Sequence, residues 1–148
     1  MNPSRQAPAV THDLQMQVVV DSGNRVALSA TLDYSAHDPF AVSATFRTGE
    51  GDITWVFARD LLRDGLTDMA GVGDIVIRPG HPSRGPIVNI TLSSPSGAAQ
   101  IEGSRHDLAA FVHEIFTAVP EGSEWLYLDL DRTIDDLLTT EGGGAVGY

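Results

Sequence analysis

Two aspartates near the end of the sequence have the type and spacing that phosphoryl-transfer chemistry uses. Asp129 and Asp131 follow the apolar run 126–128, and Thr133 comes two residues later. In such an arrangement the first carboxylate can attack phosphorus and the second can act as acid and base, while both depend on Mg²⁺. A phosphatase is therefore the first enzyme class to weigh against the rest of the sequence.

The Asp-x-Asp-x-Thr string resembles the first motif of the haloacid-dehalogenase-type phosphatases, which also need a lysine to offset phosphate charge. This sequence contains no lysine, and the motif lies so late that we expect no room for the parallel α/β domain of those enzymes. A structural role accounts for the acidic cluster, because Asp135 and Asp136 continue it into the first turn of a predicted helix, where the helix dipole stabilises carboxylates.

Other catalytic and metal-binding arrangements are not recognisable in the sequence. Cysteine is absent, and no serine stands in a G-x-S-x-G elbow. Gly71 and Gly73 precede a predicted strand, whereas a phosphate loop leads from a strand into a helix. The histidines lack the spacing of a zinc site, and they occupy positions 12, 37, 81, 106 and 113. We therefore expect no enzyme activity, no cofactor, no metal and no small-molecule substrate.

The charge of the chain argues against a phosphate-rich partner. Twenty acidic residues against nine arginines give a net charge of −11. Nucleic-acid affinity depends on cations that neutralise phosphates, so an acidic protein is repelled on approach. Neither an export signal nor an apolar stretch of membrane-spanning length is visible, which predicts a soluble cytoplasmic protein.

Alternating apolar residues predict seven short β-strands. The first four cover 14–20, 26–32, 40–46 and 53–57, and the last three cover 75–77, 88–92 and 99–101. The turns between the first four strands are too short for crossover helices, so these strands should form an antiparallel meander.

Helical patterns follow each group of strands. Residues 59–64 predict a short helix that ends at Gly65. Ser104 with Asp107 resembles a capping box, and it opens a longer helix that Pro120 ends. The segment Trp125–Leu130 is predicted to be extended, and Arg132–Leu138 to be helical. The fold class is α+β, with strands then a helix occurring twice.

These elements fit one domain. A chain of 148 residues builds a single core, which we assign to residues 12–139. Residues 1–11 are predicted to be a flexible leader, and the glycine-rich residues 140–148 a flexible tail.

Six strings of the sequence stand in the order seen in one protein family. Residues 55–66, WVFARDLLRDGL, resemble the W-x-F-A-R-D-L-L-x-x-G-L signature of the SsgA-like proteins, which act in sporulation and cell division of filamentous actinobacteria. The others are DPFAV at 38–42, GDI at 73–75, LSSPSG at 92–97, VPEGSE at 119–124 and DLD at 129–131. The resemblance covers about residues 14–138, and its ordered matches make it more specific than one short motif.

The resemblance implies a fold and a function. The family is similar to the Whirly proteins, with two antiparallel sheets and helices assembled as a homotrimer. Its members have no known catalysis; they mark septum sites, act with an SsgA-type paralogue, and recruit the tubulin-like protein FtsZ and promote its polymerisation. The location implied is the division septum, with membrane contact only through other division proteins. The alternative is single-stranded nucleic-acid binding as in Whirly trimers, which needs a cationic groove with stacking aromatic residues.

Two groups of residues are candidates for these roles. Trp55 and Phe57 are expected in the core. The following residues, Arg59, Asp60, Leu61 and Leu62, are predicted to determine shape or to contact another subunit. The amphipathic residues Ile134, Leu137 and Leu138 form a possible partner surface, with docking on the protein's own core as the alternative.

Overall fold

The computed structural model describes residues 7–21 and 23–128. The predicted final helix with Ile134, Leu137 and Leu138, the Asp129–Asp131 pair and the glycine-rich tail lie outside the described residues.

The first four strands form the predicted antiparallel meander. They are β1 (Ala9–Val19), β2 (Arg25–Ser35), β3 (Ala41–Thr48) and β4 (Gly51–Ala58), and each pairs with the next. β1 begins at Ala9, inside the stretch 1–11 predicted as a flexible leader. The reason is that Val10 is buried opposite Tyr34 of β2, so burial and ladder hydrogen bonds hold these residues in the sheet.

The remaining strands continue the same sheet. β5 (Ile75–Pro79), β6 (Ile87–Ser94) and β7 (Gly97–Ser104) pair in sequence. The spatial order is β4-β3-β2-β1-β7-β6-β5, one seven-stranded antiparallel sheet rather than the two sheets expected from the resemblance. A short ladder joins the first four strands to the last three. In it, Gln17–Val19 of β1 pair with residues 100–102 of β7.

Two helices follow the strands as predicted. α1 (Arg59–Gly65) directly continues β4, and α2 (Arg105–Ala118) follows β7. The predicted cap of α2 is confirmed, since Ser104 Oγ accepts a hydrogen bond of 3.2 Å from the Asp107 backbone N–H. A 3-10 turn (Pro82–Arg84) lies between β5 and β6.

The extended conformation predicted from Trp125 onward is wrong for residues 125–128, which lie in a helix that begins at Glu124. A short apolar run fits either a strand or a helix, and tertiary contacts decide between them. Here the Trp125 ring packs edge-on against Phe40, with the ring centroids 5.5 Å apart. The Leu126 N–H donates to Ser123 O at 3.1 Å, which tightens the first turn.

The core lies between the sheet and the helices. The alternate residues of β2, Leu28, Ala30 and Leu32, are buried in the same apolar cluster as Phe111 and Ile115 of α2. α1 packs closely on β5. A Cβ atom added at Gly65 would lie only 2.3 Å from Ile77 Cγ2. Glycine is therefore the residue that lets this helix approach the sheet.

Candidate interaction site

Arg59 is a fully buried arginine at the junction of β4 and α1. The Arg59 N–H still donates 2.8 Å to Phe40 O, one position beyond the last residue pair of β3 and β4, and from Arg59 onward the chain is helical. A charged side chain is almost never fully buried without a partner. Its surroundings therefore decide what this part of the molecule does.

The guanidinium of Arg59 is held by groups from several segments. Nη2 donates to Glu124 Oε2 at 2.6 Å, and Nη1 donates to Val119 O at 2.8 Å and to the Tyr34 hydroxyl at 3.3 Å. The guanidinium carbon lies 3.9 Å from the centroid of the Phe116 ring, within cation–π range. One arginine thus ties β2, the end of α2 and the 124–128 helix to the start of α1.

The ionisation of the neighbours follows from this arrangement. Burial is the largest single effect on Glu124 and by itself would raise its pKa. The hydrogen bond from Arg59, the backbone hydrogen bonds of Gly122 and Glu124 and the positive charge of Arg59 together outweigh burial, so the pKa is lowered from its ordinary value. Burial raises the pKa of Tyr34 to about 12, against the opposing charge of Arg59. The site is therefore an ion pair beside a neutral phenol, whose hydroxyl donates 2.9 Å to Pro39 O.

An exposed apolar patch lies next to this ion pair. It consists of Phe40, Trp125 and Leu126, and we call it the aromatic patch. Trp125 is 56% exposed and Leu126 is 72% exposed, although both follow the buried Glu124 directly. The Arg59–Glu124 pair therefore fixes where the patch is presented.

The other predicted residues of the signature have different surroundings. Phe57 and Leu62 are buried in the core, and Leu61 is partly buried against it. Asp60 is exposed at the first turn of α1, with a carboxylate oxygen 3.7 Å from Arg63 Nη2. Trp55 is partly buried and lines an open groove. Arg59 and Leu62 are thus buried inside the chain, whereas Asp60 faces solvent.

This apolar groove has a volume of about 630 Å³ and lies on the core side of the sheet. Residues of six strands line it, from β4 through β1 to β7 and β6, and none from α1 or α2 does. β4 and β7 are four strand positions apart, about 19 Å in a flat sheet, so the sheet curls to bring both to one groove. We call it the sheet groove.

A second cluster of charges was not singled out in the sequence. Glu102 of β7 is buried and accepts hydrogen bonds from Arg25 Nε at 2.7 Å and from Arg84 Nη2 at 2.9 Å. The hydrogen bond from Arg25 contributes most to lowering the pKa of Glu102, against the opposing effect of burial. No local pattern reveals this triad, because its members are brought together by strand pairing and the 3-10 turn.

Glu124, Tyr34 and Phe116 were likewise not predicted as partners of Arg59. Glu124 ends the string VPEGSE, but nothing in that string points to a residue 65 positions earlier. A sequence signal did exist in one respect. An arginine placed between an apolar strand and two leucines is hard to solvate, which indicates a buried partner.

Two absences hold for the part of the chain that the structure describes. Within residues 7–21 and 23–128, no group of histidine, aspartate and glutamate side chains could hold a metal ion. Over the same ranges no helix is long and apolar enough to cross a membrane.

The chain is similar to a known protein family and to proteins of several actinobacteria. The family described as Streptomyces sporulation and cell division protein, SsgA, matches residues 28–124. The sporulation-specific cell division protein SsgB of Kineococcus radiotolerans is 40% identical over 141 residues, covering 89% of this chain and 86% of the relative.

Two solved structures agree with the sequence comparison. The SsgA-like sporulation-specific cell division protein of Thermobifida fusca is 36% identical with a TM-score of 0.82, over 92% of this chain and 98% of that one. A structure of SsgB from Streptomyces coelicolor, in which mutations correlate to longitudinal cell division during sporulation, is 39% identical with a TM-score of 0.78, over 83% of this chain and 98% of that one. The sequence match, the shared fold and the ordered motifs agree, and the chain belongs to the SsgA family of sporulation and cell division proteins.

Proposed function

We propose that this protein is a non-enzymatic factor of sporulation-associated cell division that marks septum sites, recruits FtsZ and promotes its polymerisation. The observation that carries the proposal is the similarity, over most of the chain, to proteins named for sporulation-specific cell division. An SsgA-type paralogue acts with it at the septum, and membrane contact is made through other division proteins.

The charges of the described residues favour a protein partner over nucleic acid. Arg25, Arg59, Arg63 and Arg84 each form an ion pair with a carboxylate of the same chain. Those guanidinium groups are therefore already neutralised, and the net charge of −11 repels a phosphate backbone. This supports FtsZ recruitment over the single-stranded nucleic-acid alternative.

The aromatic patch is the surface that we assign to the partner. Tryptophan and other aromatic side chains are enriched at the centres of protein interfaces, where they bury a large area at little entropic cost. The Trp125 ring contacts Phe40, and the exposed Leu126 follows it in the chain. The Arg59–Glu124 pair holds the patch in place before the partner arrives, which lowers the cost of binding.

The proposal includes a Whirly-like homotrimer. Three copies of one weak contact give a filament of repeated subunits an avidity greater than the affinity of a single contact. An acidic trimer can thus gather FtsZ subunits without a tight individual site.

The experiment is co-sedimentation of the purified protein with FtsZ polymers from the same organism. A labelled single-stranded oligonucleotide is titrated in parallel at physiological salt. Pelleting with the polymer and no change in the oligonucleotide signal supports the proposal. Oligonucleotide binding without pelleting would replace it with the nucleic-acid alternative.

A further inference from the structure

β4 is one of the two outer strands of the sheet, and its backbone shows which residues point outward. The Arg59 N–H donates to Phe40 O, its opposite position in the ladder with β3. Hydrogen-bonding positions alternate along an antiparallel strand, so the odd-numbered residues of β4 bond to β3 and the even-numbered ones point away from it. Three exposed residues point outward in this way, Asp52, Thr54 and Val56. Within residues 7–21 and 23–128 their backbone groups have no partner strand.

The opposite outer strand, β5, is protected by the chain itself. Ile77 exchanges two backbone hydrogen bonds with Ala70, at 2.8 and 2.9 Å, and Pro79 has no N–H to offer. Proteins also protect sheet edges with lysine, with a bulge or by keeping the strand short. β4 is eight residues long, pairs with β3 without a bulge, and carries one charged residue, Asp52. An edge of this kind is a template for pairing with another strand.

The side chains along the β4 edge are apolar on both faces of the sheet. Ile53 is 50% exposed and lines the sheet groove, and Trp55 is its partly buried neighbour on the same face. Val56 is 62% exposed on the other face. A strand added to β4 would cover these side chains by cross-strand contacts.

We propose that the β4 edge pairs antiparallel with the β4 edge of a second copy of this chain, about a two-fold axis at Thr54. In this register Thr54 lies opposite Thr54 of the second copy and Asp52 opposite Val56, and each pair exchanges two backbone hydrogen bonds. Ala58 is left out, because it is the N-cap of α1 and its C=O begins the helix. On the groove face, Ile53 meets Trp55 of the second copy, so each covers the other.

The charges along the edge allow two copies to meet, although the chain carries a net charge of −11. Asp52 faces the apolar Val56 rather than another carboxylate. The two Asp52 residues are four positions apart along the paired strands, about 13 Å, which exceeds the screening length of about 8 Å at physiological salt. Arg47 lies opposite Asp52 in the ladder of β3 with β4, so each copy supplies a cation next to its own carboxylate.

The contact goes beyond the proposed function. It uses the same surface on both copies, so it joins them in pairs and is distinct from the contacts that would build a homotrimer. It requires neither the homotrimer nor FtsZ. Residues of the aromatic patch lie outside β4 and remain available to a partner.

The absence of cysteine allows a direct test by single substitutions. Thr54→Cys places two thiols across the axis, where the Cα atoms of a hydrogen-bonded pair are about 5.5 Å apart and a disulfide can form. Asp52→Cys and Val56→Cys are the matched controls, because each lies about 13 Å from its own equivalent. Under mild oxidation, Thr54→Cys should cross-link between chains at least tenfold faster than either control alone. An equimolar mixture of the two controls should cross-link as Thr54→Cys does, since positions 52 and 56 face each other.

Two results of this series would overturn the proposal. Equal rates for the three single variants would show random collision rather than a fixed register. No cross-link in Thr54→Cys would show that two β4 edges do not meet, as expected if another segment covers the edge.

A second measurement needs no cross-link. Thr54→Pro removes an N–H that points away from β3, so the ladder within the chain is kept while the contact between copies loses its central hydrogen bonds. The matched control is Val26→Ser, which removes an exposed apolar side chain of the sheet groove from an inner strand. Sedimentation equilibrium should give the unchanged protein and Val26→Ser twice the mass of Thr54→Pro. Equal masses for all three would contradict edge pairing, and failure of FtsZ co-sedimentation would change none of these results.

Discussion

Arg59 Nη2 and Glu124 Oε2 are 2.6 Å apart in the interior of the protein, joining residues separated by 65 positions in the sequence. The pair connects the family signature at residues 55–66 to the string VPEGSE at 119–124. Two motifs that look independent in the sequence therefore form one structural unit.

Removing the cation of this pair should be strongly destabilising. Arg59→Met leaves the Glu124 carboxylate buried without a counter-charge, and we expect a loss of about 3–5 kcal/mol in the free energy of unfolding. The matched control is Arg63→Met, whose partners Asp60 and Asp64 are exposed, with an expected loss of about 1 kcal/mol or less. Urea denaturation measures both, and equal losses would show that the buried pair has no special importance.

Removing both charges separates the cost of a broken pair from the value of the pair itself. In Arg59→Met with Glu124→Gln no buried charge is left unpaired. We expect this double variant to recover part of the stability lost in Arg59→Met. A double variant less stable than Arg59→Met would contradict the ion-pair account.

Stability should fall in acid as the buried carboxylates are protonated. The pKa values of Glu124 and Glu102 are lowered in the folded protein from an ordinary value of 4.5. Their contribution is therefore fully present above pH 4.5 and is lost as the pH falls through the lower folded values. The melting temperature of Glu124→Gln should depend less on pH between 5 and 3 than that of the unchanged protein. An identical pH dependence would contradict the assignment.

A titration at high pH should identify Tyr34. The chain has three tyrosines, and the phenol of Tyr34 has its pKa raised to about 12. Ultraviolet absorbance of tyrosinate should therefore show a late step, and Tyr34→Phe should remove it. Since the folded pKa lies above the ordinary value of 10, this group's contribution to stability is lost as the pH rises through 12. A late step that survives in Tyr34→Phe would assign it to another tyrosine.

The close contact of α1 with β5 should not tolerate a side chain at position 65. Gly65→Ala places a methyl group 2.3 Å from Ile77 Cγ2, and we expect a loss of about 1–3 kcal/mol from overpacking. Gly49→Ala is the control, because a Cβ there meets nothing within 4 Å. Equal melting temperatures for Gly65→Ala and Gly49→Ala would contradict this prediction, because they would show that α1 can move away from β5 without a loss of stability.

The strands and helices could be predicted because their signals are local. Alternation in β1 to β4 and the cap at Ser104 lie within a few residues, and the structure has both. The single sheet could not be predicted, because it depends on the three-residue ladder between Gln17–Val19 and β7. The 124–128 helix was missed for a similar reason, since its conformation depends on contacts of Glu124 and Trp125 with distant residues.

The candidate site divides in the same way. The sequence drew attention to Arg59 because it stands in the family signature at residues 55–66, directly after the predicted core residues of the strand. Its partners come from three other segments and have no common spacing in the chain. The aromatic patch was not predicted, since its components Phe40 and Trp125 are 85 positions apart and meet only in the folded protein.

The most direct test of the account is FtsZ co-sedimentation of a patch variant beside a matched surface variant. Trp125→Ala with Leu126→Ser removes two side chains of the aromatic patch, and Val56→Ser removes an exposed apolar side chain from β4. We expect the first variant to lose at least tenfold in binding to FtsZ polymers, while Val56→Ser binds like the unchanged protein. Circular dichroism should show that both variants are folded at the temperature of the assay. Full binding by the patch variant would show that the patch is not the contact, and no pelleting of the unchanged protein would contradict FtsZ recruitment itself.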